Sequence, residues 1–187
     1  MIAWSDGAAA TSISRRARSS LRMPNASVVL RAASESDVPA ILALIQALAD
    51  FERLRADCVA TEERLRATLF GNAPKAEVIL AEMPDGAVAG FALFCSNYST
   101  FLAKPGIWLE DLFVYPTHRG HGIGRALLAH LAQLAVTREC GRVEWAVLDW
   151  NAPSIGFYES LGARGMTEWT TFRLTGSALA TLAGSGA

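Results

Sequence analysis

One stretch of the chain reads Leu109-Glu110-Asp111-Leu112-Phe113-Val114-Tyr115-Pro116-Thr117-His118-Arg119-Gly120-His121-Gly122-Ile123-Gly124-Arg125. Its first half predicts an apolar β-strand with two carboxylates, and its second half predicts a turn and a glycine-rich loop that opens into a helix. Glycines let the backbone approach a ligand closely, and a helix N-terminus adds partial positive charge and unpaired N–H groups. The stretch therefore indicates a phosphate or pyrophosphate site beside acids that can move protons, which suggests an enzyme.

The spacing of the glycines excludes two common phosphate-binding loops. A P-loop requires a lysine and a hydroxyl residue directly after its last glycine, and neither follows Gly124. A dinucleotide-binding fingerprint needs its third glycine where Arg125 stands. The remaining pattern is Arg119-x-x-Gly122-x-Gly124, and the structural alternative is a glycine-rich turn that only begins a helix.

A second block downstream, residues 144–163, carries a related signal. It predicts a strand, an asparagine cap at Asn151, a proline in the first helical turn, and a short helix closed by Gly162. Arg-x-x-Gly-x-Gly followed by Asn-x-Pro-Ser-x-x-Phe-Tyr and Leu-Gly-Ala resembles the motifs of the GNAT acetyltransferases, which bind the pyrophosphate of acetyl-CoA. With Leu-Glu-Asp-x-Phe-Val in front, the chain is similar to the spermidine/spermine (diamine) N-acetyltransferase branch, from about Leu30 to about Leu174.

The resemblance implies a set of residues for acetyl-CoA as co-substrate. Amides of Gly120 to Arg125 would hold the pyrophosphate, and N–H groups around Leu112 to Val114 would polarise the acetyl carbonyl, as preorganised donors do. The full cofactor set is Leu112, Phe113, Val114, Arg119, Gly120, His121, Gly122, Ile123, Gly124, Arg125, Asn151, Ser154 and Tyr158.

Two side chains are candidates for proton transfer. Burial of an unpaired carboxylate is costly, so Glu110 and Asp111 indicate either structural hydrogen bonds or function, and strand alternation predicts that they lie on opposite faces. The residue matching Glu110 in the resembled family lies by the amine and is a candidate base. Tyr158 matches a general acid, because a phenol (pKa ~10) can protonate a departing thiolate (thiol pKa ~8.5). The alternative for Tyr158 is a packing role.

The predicted acceptor is the primary amine of a small di- or polyamine, or of an amino acid with a terminal amine. The resemblance assigns Phe51, Glu52 and Glu110 to the amine channel and implies a homodimer whose amine pocket uses both subunits. Glu168 is a further candidate anchor, although the acidic segment before the last strand is shortened here. Trp150 and Trp169 keep a bulkier or aromatic amine as an alternative acceptor.

Two other functions remain open at this point. The acceptor could be a protein lysine or N-terminus, which would need an open groove for a peptide. Alternatively, the domain could be a non-catalytic module that binds acyl-CoA and regulates another activity.

The patterns along the chain predict an alternating order of strands and helices. The predicted strands are 28–32, 77–83, 87–97, 107–115, 142–148 and 167–174, and the helices follow caps at Ser36 and Thr61 and span 122–140 and 151–161. This is the order of an α/β (mixed α+β) GNAT fold, a twisted mixed sheet with helices on both faces. We expect one domain over 27–176, a disordered extension over 1–26 and a short tail over 177–187.

Composition limits the environment and the partners. The 187 residues are 51% hydrophobic with a formal net charge of −1, which predicts a soluble domain without nucleic-acid or membrane partners. Three cysteines without metal-ligand spacing indicate free, mostly buried thiols in a reducing compartment, so a cytoplasmic location is expected. His118, His121 and His130 are not predicted to bind a metal, because two of them lie in the glycine-rich loop without a surrounding carboxylate arrangement.

Overall fold

The computed structural model describes residues 28–185, so the predicted disordered extension over 1–26 lies outside the described residues. Among them, the strands are β1 Val29–Ala32, β2 Glu77–Glu82, β3 Val88–Ser99, β4 Lys104–Val114 and β5 Val143–Trp145. The helices are α1 Val38–Phe51, α2 Glu62–Leu69, α3 Ile123–Thr137, α4 Ala152–Glu159 and α5 Gly176–Gly184. No helix in this part of the chain is long and apolar enough to cross a membrane.

One five-stranded sheet runs in the order β1-β2-β3-β4-β5. The first four strands pair antiparallel with their neighbours. Between β4 and the chain leading into β5, Gly141 N–H donates to the Pro105 carbonyl, and Ile107 N–H donates to the Arg142 carbonyl. The residue numbers of both segments increase in the same direction along these hydrogen bonds, so β5 runs parallel to β4. A sheet with both antiparallel and parallel pairs confirms the predicted mixed sheet.

Helices α1 and α2 cover one face of the sheet. Val38, Ile41 and Leu44 recur every three residues along α1 and are completely or almost completely buried. They form a core cluster with α2 and with alternate residues of the strands, namely Val78, Leu80, Phe91 and Phe113. Each large side chain buried in this way stabilises the fold by roughly 1.5–3 kcal/mol.

Helix α3 covers the other face. The strand residues that alternate with the first cluster, such as Ile79 and Phe94, are also buried, as are Leu127 and Leu131 of α3. Arg138, just after α3, places its guanidinium carbon 5.9 Å from the centroid of the Phe94 ring. Helices on both faces were predicted, and this part of the prediction is confirmed.

Of the two predicted helix caps, one is confirmed and the other is wrong. Thr61 caps α2 as expected, since its hydroxyl accepts a hydrogen bond from Arg64 N–H. Ser36 does not cap the first helix. Instead, a short 3₁₀ turn begins after Ser34, whose backbone N–H and hydroxyl both donate to the Asp37 carboxylate.

The chain divides into two compact units, with the boundary between Glu144 and Trp145. In the second unit the predicted strand over 167–174 is absent, because its backbone has no strand partner there. Trp169 N–H closes a turn onto the Met166 carbonyl instead, and Phe172 is 91% exposed. The segment predicted as a tail contains α5.

Candidate active site

Strand β4 contains a β-bulge at Glu110. Leu109 pairs with Phe94 of β3 and Asp111 pairs with Leu93, so Glu110 is an extra residue without a partner on β3. Bulges bend a strand locally and are frequent next to active sites, where they redirect side chains.

The bulge changes the direction of the two carboxylates. Cross-strand partners share a face, so Asp111 lies on the face of Leu93, and Trp108 lies on the face of Cys95 two residues further along β3. The Trp108 indole N–H donates to Glu110 Oε2 at 2.7 Å. The Glu110 carboxylate therefore reaches the same face as Asp111. The prediction that the two acids lie on opposite faces is wrong, because alternation fails across a bulge.

A cavity of about 190 Å³ lies on this face, between the C-terminal end of α1 and β4. Both Glu52 and Asp111 line it, together with Ile45, Leu48, Ala49, Leu54, Asp57 and Cys58. An apolar wall with a few carboxylates suits the binding of an alkyl chain that carries positive charge.

Negative charge is concentrated around this cavity. Burial, followed by the negative charges of Glu110 and Glu52, raises the pKa of Asp111 from its usual 3.8 to about 6. Burial also raises the pKa of Glu52. We call Glu52, Glu110 and Asp111 the acid cluster. Because Glu110 and Glu52 both disfavour the ionised form of Asp111, a cation placed among these carboxylates would be favoured.

The glycine-rich loop has the backbone geometry of an anion site. Gly120 (φ 80°) and Gly122 (φ 78°) adopt left-handed conformations that side chains with a Cβ rarely take. Helix α3 makes its first helical bond from Ala126 N–H to the Gly122 carbonyl, so the N–H groups of Ile123 to Arg125 precede the helical ladder. The space beside Gly120 is also open, since a Cβ there would meet nothing within 4 Å. These features fit a pyrophosphate.

Arg119 connects this loop to α1 and β4. Its guanidinium carbon lies 4.9 Å from the centroid of the Phe51 ring and 5.6 Å from that of Phe113. Its Nε–H donates to the Val114 carbonyl at 2.9 Å. Phe51 and Arg119, predicted for the amine and for the cofactor respectively, therefore lie in direct contact.

The remaining predicted residues belong to the second unit. Asn151 is 8% exposed and caps α4, since its side chain accepts a hydrogen bond from Ser154 N–H. Tyr158 is half-buried, with its ring centroid 5.0 Å from that of Trp145 and 5.4 Å from that of Phe157. Glu168 lies exposed in a turn of this unit.

Sequence reasoning missed several members of the site. The spacing of Trp108 and Glu110, two apart on one strand, contained the signal for their contact. Asp111 was identified as a candidate acid, but its position in the cavity beside Glu52 was not predicted, because that position depends on the bulge. Asp57 reaches the cavity through a turn after α1 that no periodic pattern indicates.

Other ligand classes have weaker support. Within residues 28–185, no group of three histidine, cysteine, aspartate or glutamate side chains is arranged to hold a metal ion. Cys58, Cys95 and Cys140 are free thiols, as predicted, but they have intermediate exposure and are not mostly buried. Burial and the charge of Glu110 raise the pKa of the Cys95 thiol, which disfavours its nucleophilic form.

Comparison with known proteins decides the family. Residues 43–163 match the model of the acetyltransferase (GNAT) family, and this range includes the bulged strand, the glycine-rich loop and α4. The chain belongs to the GNAT family. Its members use acetyl-CoA, so the protein is an acyltransferase of the predicted class.

Individual relatives agree with this assignment. The chain is 39% identical over 169 residues to a thialysine N-epsilon-acetyltransferase of Sus scrofa, covering 85% of this chain and 99% of the relative. It is 37% identical to an L-ornithine N5-acetyltransferase of Arabidopsis thaliana, covering 80% of this chain and 85% of that protein. An integron cassette protein from the mobile metagenome of V. cholerae has a similar structure, with a TM-score of 0.71, 28% identity and coverage of 83% and 97%.

Proposed function

We propose that this GNAT protein acetylates the primary amine of a small di- or polyamine, or of an amino acid with a terminal amine. The observation that carries the proposal is the acid cluster, in which Glu110 and Asp111 lie at the bulge of β4 and Glu52 follows α1. Relatives named for thialysine and for ornithine act on amino acids that carry a side-chain amine, which supports the same acceptor class.

In this proposal the loop binds acetyl-CoA. Amides of Gly120 to Arg125 face the pyrophosphate, and residues 112–114 at the end of β4 contribute to binding of the acetyl end. The family resemblance adds Asn151, Ser154 and Tyr158 to the residues proposed for acetyl-CoA. The bound co-substrate supplies an acetyl thioester, which an amine attacks directly without an acetyl-enzyme.

Glu110 serves as the base. An alkylammonium (pKa ~10.4) must lose a proton before its nitrogen can attack, and a nearby carboxylate accepts that proton directly or through water. The indole of Trp108 holds one oxygen of Glu110 and so orients the carboxylate. Tyr158 then protonates the departing thiolate.

The acid cluster and the cavity select the acceptor. Opposite charges in a partly screened cleft are worth on the order of 1–4 kcal/mol each. Glu52, at the end of α1, therefore favours a second cationic group of the acceptor. A chain with two amines would gain this interaction, whereas a simple monoamine would not.

We further propose that the catalytic domain spans residues 27–176, that two copies form a homodimer, and that the protein acts in the cytoplasm. The dimer rests on the resemblance to the diamine branch, and the compartment rests on the free cysteines. Light scattering that finds a monomer at working concentration would remove the dimer from the proposal.

The decisive experiment measures thiol release from acetyl-CoA with spermidine, a diamine, ornithine, thialysine, a simple monoamine and a peptide with a free N-terminus. We expect turnover with the diamine-like acceptors and a loss of the preference for dications in Glu52→Gln. Equal use of the monoamine, or an unchanged preference in Glu52→Gln, would contradict the acceptor class. Turnover of the peptide alone would favour a protein substrate, and acetyl-CoA binding without any turnover would favour a regulatory module.

A further inference from the structure

We propose that Phe51 is a positioning residue for acetyl-CoA, because its ring holds the Arg119 guanidinium in the orientation that the pyrophosphate requires. This inference rests on the proposed function of the glycine-rich loop. It assigns a role in cofactor binding to a residue of α1 that lies 68 positions before Arg119 in the chain and directly before Glu52, which lines the cavity proposed for the amine.

The contacts of Arg119 leave it little freedom. Its guanidinium lies near the rings of Phe51 and Phe113, with centroid distances of 4.9 and 5.6 Å, and its Nε–H is used by the Val114 carbonyl. Within residues 28–185 the terminal Nη groups donate no hydrogen bond, so they stay available for an anion. A guanidinium ordered before the ligand arrives loses less side-chain entropy on binding.

The two rings contribute differently. Phe113 is 4% exposed and belongs to the main core cluster, so its position is fixed by the packing of the sheet. Phe51 is the last residue of α1 and is 38% exposed. The Phe51 ring is therefore less buried than that of Phe113, so a substitution at Phe51 disturbs the core less and changes mainly the contact with Arg119.

Phe51 stands next to both proposed binding regions. Phe51 touches the arginine of the cofactor loop, and the next residue, Glu52, lines the cavity proposed for the amine. A change of the ring should therefore alter acetyl-CoA binding even when no amine is present, although Phe51 is not part of the loop.

The test compares acetyl-CoA affinity by calorimetry, without amine, in the full-length protein. A cation–π contact at an exposed site corresponds to about 2- to 5-fold in an equilibrium constant. We expect Phe51→Leu to weaken acetyl-CoA binding by about that factor, with a matching rise in KM for acetyl-CoA and little change in kcat. Phe51→Tyr keeps the ring and should restore wild-type affinity. Phe101→Leu, at a 94% exposed phenylalanine in the β3–β4 turn, is the matched control and should change nothing.

A double-mutant cycle decides whether Phe51 acts through Arg119. In an Arg119→Ala background, Phe51→Leu should have little further effect on acetyl-CoA affinity, since the partner is already removed. Wild-type affinity in Phe51→Leu, a full loss in Phe51→Tyr, or an unchanged effect in the Arg119→Ala background would each overturn the inference. If the wild-type protein itself does not bind acetyl-CoA, the proposed function fails instead.

Discussion

Single side-chain contacts decide how the proposed base is presented. Glu110 is exposed and projects from a bulge, so the strand backbone alone does not fix its carboxylate. The Trp108 indole supplies the missing constraint through one short hydrogen bond. Orientation of a base contributes to catalysis because the proton must lie within hydrogen-bond reach of its acceptor.

Trp108→Phe tests this constraint, because it keeps an aromatic ring and removes the N–H donor. A hydrogen bond to a charged group is worth about 1.5–3 kcal/mol, so we expect kcat to fall by roughly 10-fold or more. The KM for acetyl-CoA should stay near the wild-type value. Glu110→Gln sets the limit for complete loss of the base. If Trp108→Phe leaves kcat unchanged in steady-state assays, the indole has no part in orienting Glu110.

Tyr158→Phe tests the proposed acid in the same way. General acids typically contribute ~10²–10⁴-fold, so turnover should fall within that range while acetyl-CoA affinity changes little. Phenylalanine keeps the ring contacts with Trp145 and Phe157, and thermal unfolding of the variant checks that the fold is retained. Near-normal turnover with a small amine would assign Tyr158 to packing alone.

The secondary-structure elements show which features a sequence can predict. Helices α1, α2 and α3 and the β2–β3 hairpin were predicted because their patterns are local. The glycine-rich loop was predicted because its conformational demands are specific to glycine. The bulge at Glu110 was not, because it arises from the pairing of β4 with β3. Residues 167–174 were predicted as a strand, but only a neighbouring strand can supply the hydrogen bonds of such a segment.

The loop and helix α3 make a separate prediction through Gly124. Unlike Gly120 and Gly122, Gly124 does not have a positive φ, so its backbone conformation is one that valine can adopt. Valine is also no worse than glycine in a helix, so Gly124→Val should fold normally. Its side chain would occupy the place of the pyrophosphate, and we expect calorimetry to detect no acetyl-CoA binding. Gly122→Val is a poor substitute because strain at φ 78° would confound the result. Undiminished binding in Gly124→Val would remove the loop from the cofactor site.

For the whole molecule, the charges around the active site and those of the scaffold have opposite effects on stability. In the scaffold, Arg31 pairs with Asp37 at 2.8 Å and with Glu82 at 2.6 Å. The hydrogen bond from Arg31 lowers the pKa of Asp37, so this carboxylate stabilises the fold above its unfolded pKa near 3.8 and loses that effect as the pH falls. At the active site, Asp111 has a raised pKa and the reverse behaviour.

The pH dependence of stability follows from these signs. Between its usual pKa of 3.8 and the folded value of about 6, Asp111 binds a proton more tightly in the folded state than in the unfolded state. The free energy of unfolding should therefore fall as the pH rises through this window and should level off above it, by up to on the order of 3 kcal/mol. Urea unfolding at pH 5, 6, 7 and 8 measures this change.

Asp111→Asn separates the contribution of the active site to the pH dependence of stability from the contribution of the scaffold. The amide keeps the shape of the side chain without its charge, so this variant should be more stable than the wild type at pH 7 and should show a flatter profile between pH 5 and 7. It should also bind a dicationic amine more weakly, because one member of the acid cluster is lost. The two effects together would show that the carboxylate is retained at a cost in stability for the sake of the amine. A wild-type protein that gains stability between pH 5 and 7, or an Asp111→Asn variant with the same profile, would contradict this account of the site.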